Sequence, residues 1–455
     1  MKSAVISSKE LFQNRIRAEQ FLSPDLEIIR NVKNGKFPLS PVARIGKVRG
    51  GKRLPHNSRY VSDGVPYVRN TDIKDLRVDF ENVAMISHEQ QKKIARYPLK
   101  YHDVVIGIAG TIGNVGLVDE KTEVCQFNEN LARITEVEID PYYLAVYLAS
   151  SFGQAQINFL KGGAVQHKLS LESINRIVVS LPPAELQSHI AQVVQEAYAE
   201  RRKKLEEAEK LFIEIQPMVL ARLGITQTDN IPPKRFVKSI REIAGGRFDF
   251  EAVAATMPMD FGMAKATPLN QVATQILERI LPVRDCPNED VNYISLGNIA
   301  PNTGELVDFT PMKGSQVLSS ATKFKKCDIL FGRMRPYLNK VWVAEFDGIC
   351  TGEAVVLRPY LTRVDTTFLH ALLMSRITLE QVVPFQSGTS LPRVAPSYIM
   401  QVKLPIPDAI GLQKELSLEI HNRRAQAKQL RAEAEQVVSE AKARVEKMIL
   451  GEVEP

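Results

Sequence analysis

The stretch that decides the fold is residues 186–223, LQSHIAQVVQEAYAERRKKLEEAEKLFIEIQPMVLARL. Read at helical spacing, Leu186, Ile190, Val194, Ala197, Leu205, Ala208, Phe212, Ile215, Val219 and Leu223 fall on one stripe. Arg201 is its one polar interruption, and Glu200, Arg202, Lys203, Lys204, Glu206, Glu207 and Glu209 fill the positions between. Steps of three and four sustained over this length predict a long amphipathic helix with a narrow, coiled-coil-like seam. At about 1.5 Å per residue it reaches about 50 Å, more than a compact domain needs. Pro217 predicts a kink or loosening of the last turns, and Gly224 a stop.

A second stretch keeps the same rhythm: Leu416, Ile420, Arg423, Ala427, Leu430, Ala434, Val437, Ala441, Val445 and Met448, ended by Gly451. Both stripes set Ala beside Leu, Ile and Val, which lets two helices approach closely. Two ordinary core helices would show similar stripes. What separates the readings is the lead-in: Leu181-Pro182-Pro183-Ala184-Glu185-Leu186-Gln187 before the first, Leu404-Pro405-Ile406-Pro407-Asp408 and Leu412-Gln413 before the second.

The lead-ins belong to a longer repeat. Arg15 to Glu19 answers Arg247 to Glu251, and Pro38-Leu39 answers Pro268-Leu269. Val65-Pro66-Tyr67-Val68 answers Val291-Asn292-Tyr293-Ile294, and Asp103 to Gly107 answers Asp328 to Gly332. Glu129 answers Glu353, Gly163 answers Gly388, and Gln187 answers Gln413. The matches stay in order at a nearly constant spacing, too long for a solenoid, so they predict two tandem domains, each followed by a long helix. Within each, short turn-bounded strands are expected at 65–69, 103–108, 114–118 and 131–137, and at 291–296, 328–333, 340–346 and 354–358. Helices are expected at 142–152 and 367–383. The fold class is α/β in the mixed, α+β sense, strand-rich in both domains. The polar, proline-marked segment 226–234 reads as linker. The expected division is 1–184, a helix over 185–224, linker 225–246, a second domain over 247–408, and a closing helix over 409–451.

The chain has 455 residues, 44% hydrophobic and 24% charged, with a formal charge of +7. That is an ordinary globular composition, more than one domain long, and compatible with a polyanionic partner. Four cysteines without CxxC spacing read as reduced, buried thiols. Residues 1–17 lack the apolar core of a signal peptide, and no apolar run is long enough to span a bilayer, so a cytoplasmic protein with no membrane partner is expected.

Catalytic motifs are missing. Gly46-Lys47-Val48-Arg49-Gly50-Gly51-Lys52 approaches a phosphate loop, but Arg53 stands where Ser or Thr would hold Mg²⁺, and Leu54-Pro55-His56 follows in place of a helix. Gly107 to Gly113 runs on toward another strand, so a dinucleotide fingerprint fails there and a hairpin or loop is expected. Seven histidines show no metal-ligand spacing, and no GxSxG elbow occurs. Paired domains without an active site suggest recognition rather than reaction.

The loops carry the side chains that recognition of nucleic acid uses. The candidates in the first half are Arg49, Lys52, Arg53, Arg59, Arg69, Asn70, Lys92, Lys93, Gln166, His167 and Lys168. Those in the second are Lys323, Lys325, Lys326, Arg333, Arg335, Tyr337, Asn339, Lys340, Gln386, Thr389, Ser390 and Arg393. Arg and Lys clamp phosphates or read guanine, and Asn and Gln read adenine. A solvated basic edge would show the same residues one by one.

The chain resembles the specificity subunit of type I restriction–modification enzymes over nearly its whole length. The resemblance is carried by Gly50-Gly51-Lys52-Arg53-Leu54-Pro55 with Asp63 to Arg69, by Asp328 to Val341, by Phe346-Asp347-Gly348-Ile349-Cys350, and by the Leu-Pro lead-ins with Gln187 and Gln413. It implies two target-recognition domains separated by two antiparallel spacer helices, each domain reading half of a split double-stranded DNA site. It further implies two methyltransferase subunits docked on the helices and holding S-adenosylmethionine, no cofactor or metal on this chain, and motor-nuclease subunits as further partners. The rivals are a twin-domain scaffold that binds only proteins, a subunit of a related methyltransferase–nuclease fusion, and an enzyme with an unrecognised site.

Overall fold

The computed structural model describes residues 24–96, 98–121, 124–161, 167–225, 261 and 264–453. The linker segment 226–234, Gln166, and the repeat matches at Arg15, Gly163 and Arg247 lie outside them. The chain divides into two compact units, one from the residues up to Lys204 with those from Ala432 on, the other Leu205–Arg431. Each unit therefore includes part of each long helix.

In the first unit a six-stranded sheet runs in the order Lys47–Gly50, Leu131–Thr135, Val104–Gly107, Val115–Leu117, Arg77–Val78, Ile73–Lys74. Its pairs are antiparallel except Arg77 against Leu117. Val104–Gly107 and Leu131–Thr135 are buried at every residue, so both faces are covered and the strands read as apolar runs without alternation. Helices Pro141–Ala149 and Ser151–Leu160 supply Tyr143, Leu144, Tyr147 and Phe152 to the core below the sheet. A smaller sheet sets Val65–Val68 between Ala84–Ile86 and, in parallel, Gln126–Phe127.

The second unit repeats this plan. Ala273–Ile276, Ala354–Pro359, Ile329–Gly332 and Val341–Val343 form an antiparallel sheet in the order of the first four strands of the first unit. Tyr293–Ile294 lies parallel to Gly348–Thr351, as Val65–Val68 lies parallel to Gln126–Phe127. Leu39–Pro41 pairs with Val178–Ser180, and Lys265–Pro268 with Lys403–Ile406.

The repeat extends to polar details. Arg133 Nη1 donates to the buried Asp103 Oδ2 at 2.5 Å, and Arg358 Nη2 to Asp328 Oδ2 at 2.7 Å. Each aspartate oxygen also accepts a backbone N–H three residues upstream, from Lys100 and Lys325. Gln187 Oε1 accepts the backbone N–H of Asp140 while its Nε2 donates to Pro182 O; Gln413 does the same with Asp365 and Pro407. The glutamines of the two lead-ins are thus latches between a long helix and the sheet-backing helix of its own unit.

One joint differs. His370 is fully buried, with Nε2 2.9 Å from Val341 O and Nδ1 2.9 Å from Arg424 Nη2. The guanidinium only donates, so Nδ1 accepts and Nε2 carries the proton to Val341. Burial, and after it the Arg424 charge, pull the imidazole pKa down to about 3. At the matching positions, counted from the paired aspartates and glutamines, the first unit has Ala145 and Tyr198, both buried in its core.

The long helices are Ala184–Ile213, continued after Glu214 by Ile215–Arg222, and Ile410–Leu450. The break sits three residues ahead of Pro217, which falls in the first turn of the new helix, where a missing N–H costs little. Gly224 and Gly451 close the helices at φ of 73° and 77°. In the first unit, Arg201 pairs with Glu435 and Lys204 with Glu433; in the second, Glu214 pairs with Arg423 and Arg222 with Glu415. Partner numbers fall as the first helix advances, so the segments are antiparallel within each unit. Ile190, Val194, Ala197, Val445 and Met448 join one core, with Leu186 and Val437 packed against it. Ile215, Val219, Leu223, Leu416 and Ile420 join the other, with Phe212 beside it. Leu205 and Leu430 are half-buried. The polar interruption Arg201 also reaches Asp75 Oδ1 at 2.7 Å, so its charge is matched from two sides.

Two expectations are corrected. Each of the two sheet-backing helices is broken once, at Ser150 and at Met374–Ser375, where continuous helices were expected. Each serine Oγ donates to the carbonyl three residues back, Tyr147 and Leu372, both at 2.6 Å, and this local bond competes with continuing the helix. Of the four free cysteines, Cys327 is exposed; Cys125, Cys286 and Cys350 are buried.

Candidate nucleic-acid interface

The strand Ile329–Gly332 ends in Arg333, Met334 and Arg335, and the chain turns there in a left-handed conformation at Arg335, φ 49°. A second loop, closed by backbone bonds between Ser387 and Arg393 in both directions at 2.8 Å, lies against it. Arg335 N donates to Pro392 O at 2.7 Å, Arg335 Nη2 to Ser390 O at 3.3 Å, and Val394 N to Arg333 O at 3.0 Å. The fold thus brings Arg333, Arg335, Tyr337, Thr389, Ser390 and Arg393 onto one surface, with Tyr337, Thr389 and Ser390 exposed.

Glu353 anchors this surface. Its carboxylate accepts Arg393 Nε at 3.0 Å on each oxygen and Arg393 Nη2 at 2.8 Å. Arg333 Nε stands 3.5 Å away, a charge contact rather than a hydrogen bond. Hydrogen bonding from Arg393 holds the Glu353 carboxyl below the usual carboxylate range, against its partial burial.

The first unit has a related arrangement built from different residues. Glu129 Oε1 accepts Arg53 Nε at 2.5 Å, and the arginine side chain is 80% exposed. Glu129 and Glu353 match in the repeat, yet their arginines come from the loop after Lys47–Gly50 in one case and from the loop before Val394 in the other. Lys52 and Arg59 are exposed near Arg53 in sequence; Arg69 forks onto Asp72 at 2.9 and 3.1 Å and lies 5.6 Å over the Tyr60 ring.

Other candidates are placed elsewhere. Lys92 and Lys93 sit on the helix His88–Ile94, with Lys93 on Glu89 at 2.7 Å. Arg49 lies on the edge strand Lys47–Gly50, and His167 and Lys168 are exposed. Lys323 pairs with Glu278 at 2.7 Å, and Lys325 and Lys326 are exposed at the far end of the strand Ile329–Gly332 from Arg333. Lys340 Nζ donates to Leu296 O. Gln386 is half-buried at the start of the closed loop.

Two candidates are corrected. Asn70 Nδ2 donates to Ala109 O and Thr111 O while its Oδ1 accepts Asn114 Nδ2, so its amide ties down the glycine loop. Asn339 is buried at 4% exposure, with Nδ2 donating to Met374 O at 2.9 Å, so its amide lies out of reach of a base. The glutamates were the missed residues. Their signal was present, because the repeat aligns Glu129 with Glu353, and a carboxylate that recurs at equivalent points of two copies calls for a partner.

Neither glycine-rich stretch opens a cradle. A Cβ at Gly107 would lie 2.4 Å from Thr111 O, and one at Gly51 1.9 Å from Asn128 O. These glycines allow backbone to pack on backbone, and Gly107 ends a strand that turns back as the expected hairpin to Val115–Leu117. Among the described residues no group of three or more His, Cys, Asp or Glu could hold a metal ion, and no helix is long and apolar enough to cross a membrane.

Residues 32–210 match the family model described as type I restriction modification DNA specificity domain. The chain is similar to type I restriction–modification specificity subunits. It is 28% identical over 174 residues to the type I restriction enzyme EcoBI specificity subunit of Escherichia coli, covering 38% of this chain and 34% of that one. It is 28% identical over 154 residues to the putative type I restriction enzyme MjaX specificity subunit of Methanocaldococcus jannaschii, covering 32% and 36%. The matched stretches thus span about a third of each curated relative. Among solved structures, the type I restriction–modification S subunit from M. genitalium aligns over 93% of this chain and 97% of its own, at 12% identity and a TM-score of 0.43. The HsdS subunit from Thermoanaerobacter tengcongensis aligns over 92% and 97%, at 15% identity and a TM-score of 0.37.

Proposed function

We propose that this chain is the DNA-recognition subunit of a type I restriction–modification complex, without catalysis of its own, and that each unit reads one half of a bipartite double-stranded site. The observation that carries the reading is repetition with variation: the same order of four strands occurs twice, and each copy sets a glutamate against arginine on a loop of different sequence. A common frame with divergent loops suits two readers of two different half-sites. The match of residues 32–210 to a DNA specificity domain supports the same reading for the first unit. Phosphate contacts from the exposed lysines and arginines would position the chain, and base contacts from the loops would select the sequence.

The partners in this proposal are two methyltransferase subunits docked on the long helices, joined by motor-nuclease subunits where the system restricts, all in the cytoplasm where the DNA is. S-adenosylmethionine, in this proposal, belongs on the methyltransferases. The test is co-purification from the host followed by sequencing of the methylated genome with and without this chain. A methylation motif of two specified halves around an unspecified gap, lost on deletion and restored by the chain, is the expected result. Methyl transfer by the rigorously purified chain alone, or a methylome indifferent to deletion, overturns the proposal.

A further inference from the structure

Arg393 is held in a way that leaves one defined edge open. A guanidinium carries five N–H groups in a planar fork. Nε and one Nη2 proton form the side-on edge, and both are spent on Glu353. Nη1 donates one proton to Leu391 O at 2.9 Å. Three of the five N–H groups are thus used and one proton remains on each Nη, in a side chain that is 37% exposed; with Leu391 O taking the Nη1 proton on the Cδ side, these two form the end-on edge of the fork. The backbone beneath is fixed as well, by the two bonds with Ser387 and by the bond from Arg335 N to Pro392 O.

Two parallel donors fit the O6 and N7 acceptors that guanine shows in the major groove. They also fit two phosphate oxygens. The carboxylate decides between the two. Beside a phosphate a glutamate is repelled and weakens binding to every sequence alike. Its service is directional: it fixes which way the fork points, and a base edge rewards direction more than a phosphate does. We infer that Glu353 is a positioning residue that aims the end-on edge of Arg393 at a guanine in the half-site read by the second unit. The inference rests on the DNA-recognition reading above and adds the base read and the residue that aligns its reader.

The test uses the full chain with its methyltransferase partners and the gapped site found from the methylome. Binding is measured on duplexes in which each guanine of each half-site is replaced in turn by 7-deazaguanine, which lacks the N7 acceptor. One guanine in one half-site is expected to be sensitive, with about a tenfold loss of affinity. In Arg393→Lys, which keeps the charge and loses the fork, that same replacement is expected to cost nothing further. Glu353→Gln is expected to lose about tenfold in discrimination at the same base pair and nothing at the other half-site, with the fluorescence of Trp342, buried in the same unit, reporting that the variant is folded. If Glu353→Gln does not fold, Arg393→Lys with the modified base carries the test. The inference is overturned if Glu353→Gln binds all duplexes more tightly with an unchanged motif, since the carboxylate then only repels. It is equally overturned if no guanine is sensitive in a complex that binds its site selectively. A wild-type complex that shows no preference for any gapped duplex overturns the recognition reading itself.

Discussion

His370 shows how much one residue can carry when it is fully enclosed. Its pKa is about 3 in the folded chain against about 6.5 for a free imidazole, so between those values the unfolded chain binds a proton that the folded chain refuses. This contribution to stability is therefore complete above about pH 6.5 and is lost as pH falls, at up to about 1.4 kcal/mol per pH unit. Trp342, the chain's one tryptophan, is buried in the second unit and reports its unfolding. Denaturant unfolding followed by its fluorescence is expected to lose about 2 kcal/mol from this residue between pH 6.5 and pH 5. His370→Gln offers Arg424 an acceptor and Val341 a donor without titrating, and should flatten that slope; an unchanged slope would refute the assignment. At this scale the sequence was only partly legible. Arg333, Arg335 and Arg393 were visible as basic residues, but their convergence required the second loop to fold back. Asn70 and Asn339 looked like adenine readers because one sequence does not reveal that backbone carbonyls will consume their amides.

The long helices were the most legible elements, because only a helix repeats apolar residues at steps of three and four over so many turns. Their energetics should follow the stripe. Ile420 is fully buried and Leu418, two residues away, is 61% exposed. Ile420→Ala is expected to cost about 2–5 kcal/mol and Leu418→Ala less than about 0.5, measured as a shift in denaturation midpoint. Equal costs would mean that the stripe does not set the packing. The sheet-backing helices were less legible. Tyr142 to Phe152 reads as one apolar helix, and only the bonding of Ser150 Oγ to Tyr147 O ends it early. Serine in an apolar run gives no sign of whether it faces water or its own backbone, so the break is a tertiary fact. The strands fared better at their centres than at their ends: Val115–Leu117 and Val341–Val343 are each shorter than the β-prone runs that contain them.

At the scale of the molecule the repeat was legible from scattered matches, since the latching glutamines, the buried aspartates and the loop glutamates must recur wherever the frame recurs. The loops were not, because they are where the copies differ. A recognition reading makes those differences separable by measurement. Arg53→Ala is expected to weaken binding to the half-site of the first unit and to lower the log–log salt slope by about 0.9 if the side chain meets a phosphate. Loss at both half-sites alike would count against separate readers. The unlike joints, His370 with Arg424 against Ala145 with Tyr198, reach further, into how such a chain can be rearranged. Recombination between half-genes would be natural for a protein built twice on one plan. A recombinant that laid the segment around Arg424 on the first unit would bury a guanidinium against Ala145, with no imidazole to receive it. A buried donor deprived of its acceptor costs about 1–3 kcal/mol, and more when it carries a charge, a large share of what holds a domain together. Folding would then screen the products of exchange before any DNA was met, passing shuffled loops and rejecting shuffled joints.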